Sequence, residues 1–259
     1  AFAEGLRSAP NGTLQGIASR DHTRSKAYAD EWNVPLAFEN YQQMAESELI
    51  DAVYVATPHT QHAENSILCM KNGKAVLCEK PFAVNSLQAN EMVAQASASN
   101  VLLMEGMWSR FPPLMKELRK ALSSGEIGEV RTLQADFGFK PKTRDPEGRL
   151  LNPNLGGGSL LDIGIYPIAL ASMVMGKPKS FVSDWHRGPT GIDEQAACIL
   201  KYENGSMALL HSSLESETRQ EAFLSGTEGN ICLHKQCWKP QKMTITSNHS
   251  QKTRIVEMP

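Results

Sequence analysis

Between residues 51 and 105 short apolar runs alternate with helix-length segments: "DAVYVAT", "QHAENSILCMKN", "AVLCEKP", "SLQANEMVAQASASN", "VLLME". Strands that return through a helix pair in parallel, and such apolar runs suit strands buried on both faces. The alternation reaches back toward the first residue. A helix over about 1–9 breaks at Pro10-Asn11-Gly12, and "TLQGIAS" follows as a strand. Asp21 or Thr23 caps the helix "RSKAYADEW", a short helix covers about 41–47, and Gly73 stands where a helix C′ residue is expected.

After about residue 125 the texture changes, and strand-like runs follow one another: "EVRTLQADFGF", "KSFVSDWH", "QAACILKY", "SMALLHSSL", "RQEAFLSG", "NICLH", "KMTITS". Glu203-Asn204-Gly205-Ser206 and Thr227-Glu228-Gly229-Asn230 carry hairpin-turn residues. One apolar helix, "SLLDIGIYPIALASMVMG", interrupts the series. The expected fold is α/β followed by α+β: a parallel sheet over 1–108, then a mostly antiparallel sheet with a packed helix over 109–259. The loop 140–157, rich in Pro, Gly and charge, is a candidate flap.

The chain of 259 residues is 41% apolar and 21% charged, with a formal net charge of −2. That composition belongs to soluble globular proteins and gives no general attraction to nucleic acid or anionic membranes. Five scattered cysteines suit a reducing cytosol, so a cytoplasmic protein is expected. Cys232 and Cys237, with four residues between them, are weak support for a metal site, and no metal is expected. No apolar stretch is read as approaching the ~20 residues that span a bilayer, and no signal peptide is visible. The opening "AFAEGLRSAP" reads as the tail of a helix with no preceding strand, so the sequence is expected to be part of a longer protein.

In open α/β sheets ligands bind beyond the carboxyl ends of the parallel strands. "GIASRD" ends in Ser19 and Arg20, with Arg24 one turn into the next helix. Ser and Arg suit a ribose 2′-phosphate where an acidic residue would suit a 2′-hydroxyl, so NADP is favoured and NAD remains open. A surface arginine beside a helix cap fits the same residues. Thr57-Pro58 ends the next strand, with His59 and His62 three apart at a helix start; a cap or cofactor contact fits them better than a metal. The third strand runs into Glu79-Lys80-Pro81. Pro81 fixes its own φ and biases Lys80 toward an extended backbone, aiming a cation that can lower the pKa of a neighbouring hydroxyl.

In the apolar helix Ser159 is the expected N-cap, and Asp162 and Tyr166, four apart, share a face. Gly164 and Pro167 within it would cost about 1 and about 3 kcal/mol relative to Ala, more than packing alone explains. A tyrosine set against a lysine is a workable acid/base pair, because the ammonium stabilises phenolate. A core tyrosine bonded to its neighbouring aspartate fits the residues equally.

Taken together, "CEKP", "EGMWSRFPP" and "GGGSLLDIGIYP", with "GTEGN" and "CWKP" further on, resemble the glucose–fructose oxidoreductase/inositol dehydrogenase/rhizopine-catabolism family. Within it they resemble the branch of dimeric dihydrodiol dehydrogenases and NADP-dependent D-xylose dehydrogenases. The resemblance implies a Rossmann-like dinucleotide-binding domain over 1–108 and a substrate and dimerisation domain over 109–259. It implies hydride transfer between nicotinamide and a CH–OH carbon of a sugar or cyclic trans-diol. Lys80, with Pro81 in cis, would sit beside the nicotinamide and the reacting hydroxyl. Tyr166, where many family members have His, would be the general acid/base, and Asp162 would orient substrate or Tyr166. Cofactor contacts would come from Ser19, Arg20, Arg24, Thr57, Pro58, His62, Glu79, Lys80, Trp108 and Arg110. A homodimer through the antiparallel sheet would follow. The family's first strand and its glycine-rich turn, which cradles a pyrophosphate, are missing here. A non-catalytic nucleotide-binding relative or an inactive fragment is the alternative.

Overall fold

Helix caps set the frame of the first half. A computed structural model describes residues 2–248 and 252–258. It divides between Gly106 and Met107 into two units, each treated on its own below. In the first, α1 (Phe2–Arg7) precedes β1 (Gly16–Ala18), α2 (His22–Trp32), β2 (Leu36–Phe38), α3 (Tyr41–Glu46) and β3 (Ala52–Val55). The unit continues through α4 (His62–Lys71), β4 (Ala75–Cys78), α5 (Ser86–Ser99) and β5 (Leu103–Glu105). Asp21 caps α2, its carboxylate accepting the Thr23 N–H at 2.9 Å. Gly73, at φ 75°, closes α4 by donating to Met70, while Lys74 donates to Cys69, the paired bonds of a Schellman end.

All strands of this unit pair in parallel, as the alternation predicts, but in two separate sheets: β1–β2 and β3–β4–β5. Val53, Val55, Val76 and Cys78 bury one side of the larger sheet against Cys69 and Met70 of α4 and Met92 of α5. The short β2 and its pairing with β1 have no counterpart in the sequence reading.

The second unit holds α6 (Pro113–Ser123), β6 (Val130–Gly138), α7 (Ile165–Met175) and β7 (Ser180–Arg187). Six more strands follow: β8 (Asp193–Lys201), β9 (Met207–Ser213), β10 (Ala222–Gly226), β11 (Gly229–Leu233), β12 (Lys242–Ser247) and β13 (Lys252–Glu257). They make one eight-stranded sheet in the order β13-β12-β11-β10-β6-β9-β8-β7, antiparallel throughout except for β6 against β9. Both expected hairpins are present, joining β8 to β9 and β10 to β11. Alternate residues bury one face of the sheet, among them Leu133, Leu210, Leu224, Ile231 and Met243. They pack with Leu114 and Leu118 of α6 and Leu170 and Ala171 of α7.

Two expectations about the apolar helix are corrected and a third is qualified. It is not one α-helix: Leu160–Gly164 is a π segment that leads into α7. Pro167 is the third residue of α7, in a helical run that is continuous from the π segment. Ser159 stands at the N-cap as expected, but its side chain makes no capping bond to the helix. Asp193 does that work, accepting the Leu160 N–H at 2.6 Å and the Ser159 hydroxyl at 2.8 Å. Finally, Pro153–Met175 taken as one helical run is long and apolar enough to cross a membrane, because a 3₁₀ turn and the π segment extend α7. Of its most apolar window 56% is buried inside the protein, the setting of a core helix.

Candidate active site

In the first unit the Glu79–Lys80–Pro81 turn is held from every side. The Glu79 N–H donates to Val55 of β3 at 2.9 Å, and the Gly106 N–H donates to Cys78 at 2.6 Å. The Lys80–Pro81 peptide is cis. The Pro81 carbonyl oxygen lies 2.8 Å from His62 Nδ1, and the Phe82 N–H donates to the Glu105 carboxylate at 3.2 Å. A lysine on so fixed a backbone is presented in one direction.

Glu79 and His62 contribute to that fixing from within the unit. The Glu79 carboxylate accepts the Tyr54 hydroxyl and, at 3.0 Å, the Lys80 N–H. Burial, with Glu79 as its hydrogen-bond partner, pushes the Tyr54 hydroxyl well above its ordinary pKa, so it stays a donor. His62 is 1% exposed and sets Nε2 2.9 Å from the Thr57 carbonyl oxygen, bridging the ends of β3 and β4. Both residues were expected as cofactor contacts, and within this unit their polar atoms also brace the turn through protein partners. The Thr57 hydroxyl accepts Asn65 Nδ2 at 3.2 Å, and Pro58 precedes the 3₁₀ turn His59–Gln61.

Ser19, Arg20 and Arg24 stand at the carboxyl end of β1, apart from that turn in sequence. Ser19 accepts the Asp21 N–H at 3.3 Å, while Arg20 and Arg24 are exposed. Asp21 is occupied as the cap of α2, so the acidic residue of this corner is spent and two guanidinium groups face solvent. That donor set fits a phosphate better than a ribose hydroxyl.

In the second unit Trp108, Arg110 and Tyr166 come together. Trp108 Nε1 donates to the Tyr166 hydroxyl oxygen at 3.1 Å, with the two rings edge to face. The Tyr166 ring is 9% exposed and lies among Phe137 and Trp238, which stack on each other with centroids 3.5 Å apart. Arg110 and Tyr166 line one cleft with Met115, Leu170 and Trp238. Asp162, 4% exposed, accepts Arg149 Nη1 at 2.8 Å. Gly164 makes this possible: a Cβ there would meet the Ser212 Oγ at 2.9 Å.

Arg149, Phe137 and Trp238 were missed by sequence reasoning. Arg149 lies in the irregular segment before the π turn and is one charge among several in "KTRDPEGR". Its neighbour in that segment, Arg144, pairs with the buried Glu194. Nothing local distinguishes either; only the buried carboxylates Asp162 and Glu194 demand a cation.

Residues 2–107 match a family model described as "Oxidoreductase family, NAD-binding Rossmann fold", and residues 115–232 match "GFO/IDH/MocA C-terminal domain". The trans-1,2-dihydrobenzene-1,2-diol dehydrogenase of Mus musculus is 36% identical over 254 residues, which are 96% of this chain and 75% of that protein. Among solved structures, the 3-ketoreductase KijD10 of Actinomadura kijaniata, in complex with NADP and TDP-benzene, superposes with a TM-score of 0.87. The match has 27% identity and covers 98% of this chain and 79% of the other. The aldose-aldose oxidoreductase of Caulobacter crescentus, complexed with glycerol, gives 0.87 at 25% identity over the same shares, 98% and 79%.

Proposed function

This chain belongs to the GFO/IDH/MocA oxidoreductase family, and from that premise we propose that it transfers hydride between NADP and a CH–OH carbon of a cyclic trans-diol or a sugar. The observation that carries the reading is the setting of Tyr166. Its hydroxyl oxygen accepts the Trp108 indole N–H at 3.1 Å, which fixes the position of a phenol suited to exchange a proton with an alcohol. The diol dehydrogenases and the NADP-bound ketoreductase among the relatives support the substrate class and the cofactor.

NADP, when bound, supplies the hydride acceptor. Arg20 and Arg24, with Ser19, hold its 2′-phosphate, because an exposed guanidinium pair without a competing carboxylate is the complement of a phosphate dianion. In the direction of oxidation Tyr166 takes the proton of the substrate hydroxyl and returns it to solvent. Lys80 contributes positive charge that favours the anionic form of the substrate alcohol. Asp162 is anchored by Arg149 and acts on substrate orientation rather than as a proton acceptor. Thr57, Pro58, His62, Glu79, Lys80, Trp108 and Arg110 are the remaining proposed cofactor contacts.

The active species is a homodimer formed through the second unit's sheet. On the face away from α6 and α7 one register row runs across all eight strands: Val182, Ile199, Leu209, Gln134, Phe223, Cys232, Thr244, Ile255. Val182, Leu209, Phe223 and Ile255 are 52%, 38%, 40% and 57% exposed, an apolar stripe of the kind that a second sheet covers.

The test is turnover of trans-dihydrodiols and aldoses by Tyr166→Phe. Loss of a positioned acid/base lowers kcat by roughly 10²–10⁴-fold, with affinity for NADPH retained. Undiminished turnover by the variant would remove Tyr166 from the chemistry.

A further inference from the structure

The sheet face that carries the apolar stripe also carries a group of three metal-competent side chains. Cys232 and His234 are two apart at the end of β11 and so project to one side. Ala222 pairs with Leu233, which sets the preceding Glu221 opposite His234 on the same side. The potential ligand atoms of Glu221, Cys232 and His234 all lie within 4.8 Å of one another.

Two details fit an ion better than a hydrogen-bonded cluster. His234 Nδ1 and Glu221 Oε1 are 3.9 Å apart, too far for a hydrogen bond. Ligands about 2.1 Å from a tetrahedral zinc are separated by roughly 3.4 Å, so closing onto an ion takes about half an ångström. The other ring nitrogen, Nε2, is 2.8 Å from Thr244 Oγ1. Thr244 is the cross-strand partner of Cys232 on β12. A histidine that donates one ring N–H to an oxygen presents the other nitrogen's lone pair, which is how metal-ligating histidines are oriented.

We propose that Glu221, Cys232 and His234 bind one zinc ion on the outer face of the sheet, with Thr244 orienting His234. The mixed sulfur, nitrogen and oxygen donors suit a borderline-soft ion. Three protein ligands leave one coordination position for water. The Cys232 sulfur binds as thiolate and its proton leaves to solvent. The ion pins β10 to β11, and Cys237, whose spacing from Cys232 was only weak support for a metal site, takes no part: its sulfur is buried against the Asp136 carbonyl.

The experiment titrates the metal-free chain with Zn²⁺ against a chromophoric chelator, and separately with Co²⁺, all at one protein concentration because Cys232 also stands in the apolar row. One zinc per chain is expected, with a thiolate-to-cobalt charge-transfer band. Cys232→Ser abolishes that band and, like His234→Asn, weakens zinc binding at least hundredfold. Thr244→Val keeps the stoichiometry and the band while weakening zinc binding about tenfold. Cys198→Ser, the control for casual thiol binding, changes nothing. Melting curves of the metal-free variants confirm that each is folded, and two independent ligand variants keep one folding defect from deciding the matter. Absence of zinc binding by the wild-type chain, or unchanged uptake by folded Cys232→Ser or His234→Asn, overturns the proposal.

Discussion

Cys78 closes β4 immediately before the Lys80 turn, and burial pushes its thiol from 9.0 up to about 12. Burial likewise raises Cys69 to about 11 and Cys237 to about 12. Each thiol holds its proton more tightly in the folded chain than in the unfolded one, so its contribution to stability is complete below about pH 9. It is lost as the pH rises through the folded values. The urea midpoint should therefore be flat up to about pH 9 and fall steeply beyond it, with a shallower fall in Cys78→Ala than in the wild type. An equal fall in the variant would mean that other groups govern alkaline unfolding. At this scale the sequence was informative where chemistry is local. Lys80 stood out because a proline follows it, and Tyr166 because a phenol sits among apolar residues. The hydrogen-bond partners of Glu79 and His62 could not be foreseen, since Tyr54, Pro81 and Thr57 come from other strand ends.

The π segment Leu160–Gly164 decides how Asp162 and Tyr166 are set, and Gly164 is the residue that permits it. A Cβ at that position would meet both the Ser212 Oγ at 2.9 Å and its Cβ at 3.3 Å. Ser212 has little room to give, being hydrogen-bonded to Ser159 at 3.0 Å. Gly164→Ala should destabilise the protein by about 1–3 kcal/mol, the usual cost of overpacking. Adding Ser212→Ala should restore part of the loss, a coupling that thermal melts of the double-mutant cycle would read. Additive effects would place the strain elsewhere. Strands and helices were legible because their periods differ, 2 against 3.6. The extra residue of a π turn leaves no such trace, and the cap from Asp193 arrives from another strand, so both were misread. Helix α6 has no counterpart in the sequence reading, although Leu114, Met115, Leu118 and Ala121 mark a buried stripe and Pro113 stands in its first turn.

For the whole molecule the parallel and antiparallel halves were predictable from patterning, whereas the eight-strand order was not. The parallel contact of β6 with β9 joins residues far apart in sequence, and the row from Val182 to Ile255 exists only through that order. If the row is a dimer face, Phe223→Lys, which sets a charge in its middle, should give a monomer in sedimentation equilibrium while the melting curve stays cooperative. A dimer that survives the change would move the interface elsewhere. The central claim, an NADP-linked oxidoreductase, is tested most directly by fluorescence titration of the chain with NADPH and then NADH. The account predicts saturable binding of NADPH, at least tenfold tighter than NADH and reduced to parity by Arg20→Ala with Arg24→Ala. Binding of neither nucleotide, or a preference for NADH, would contradict it.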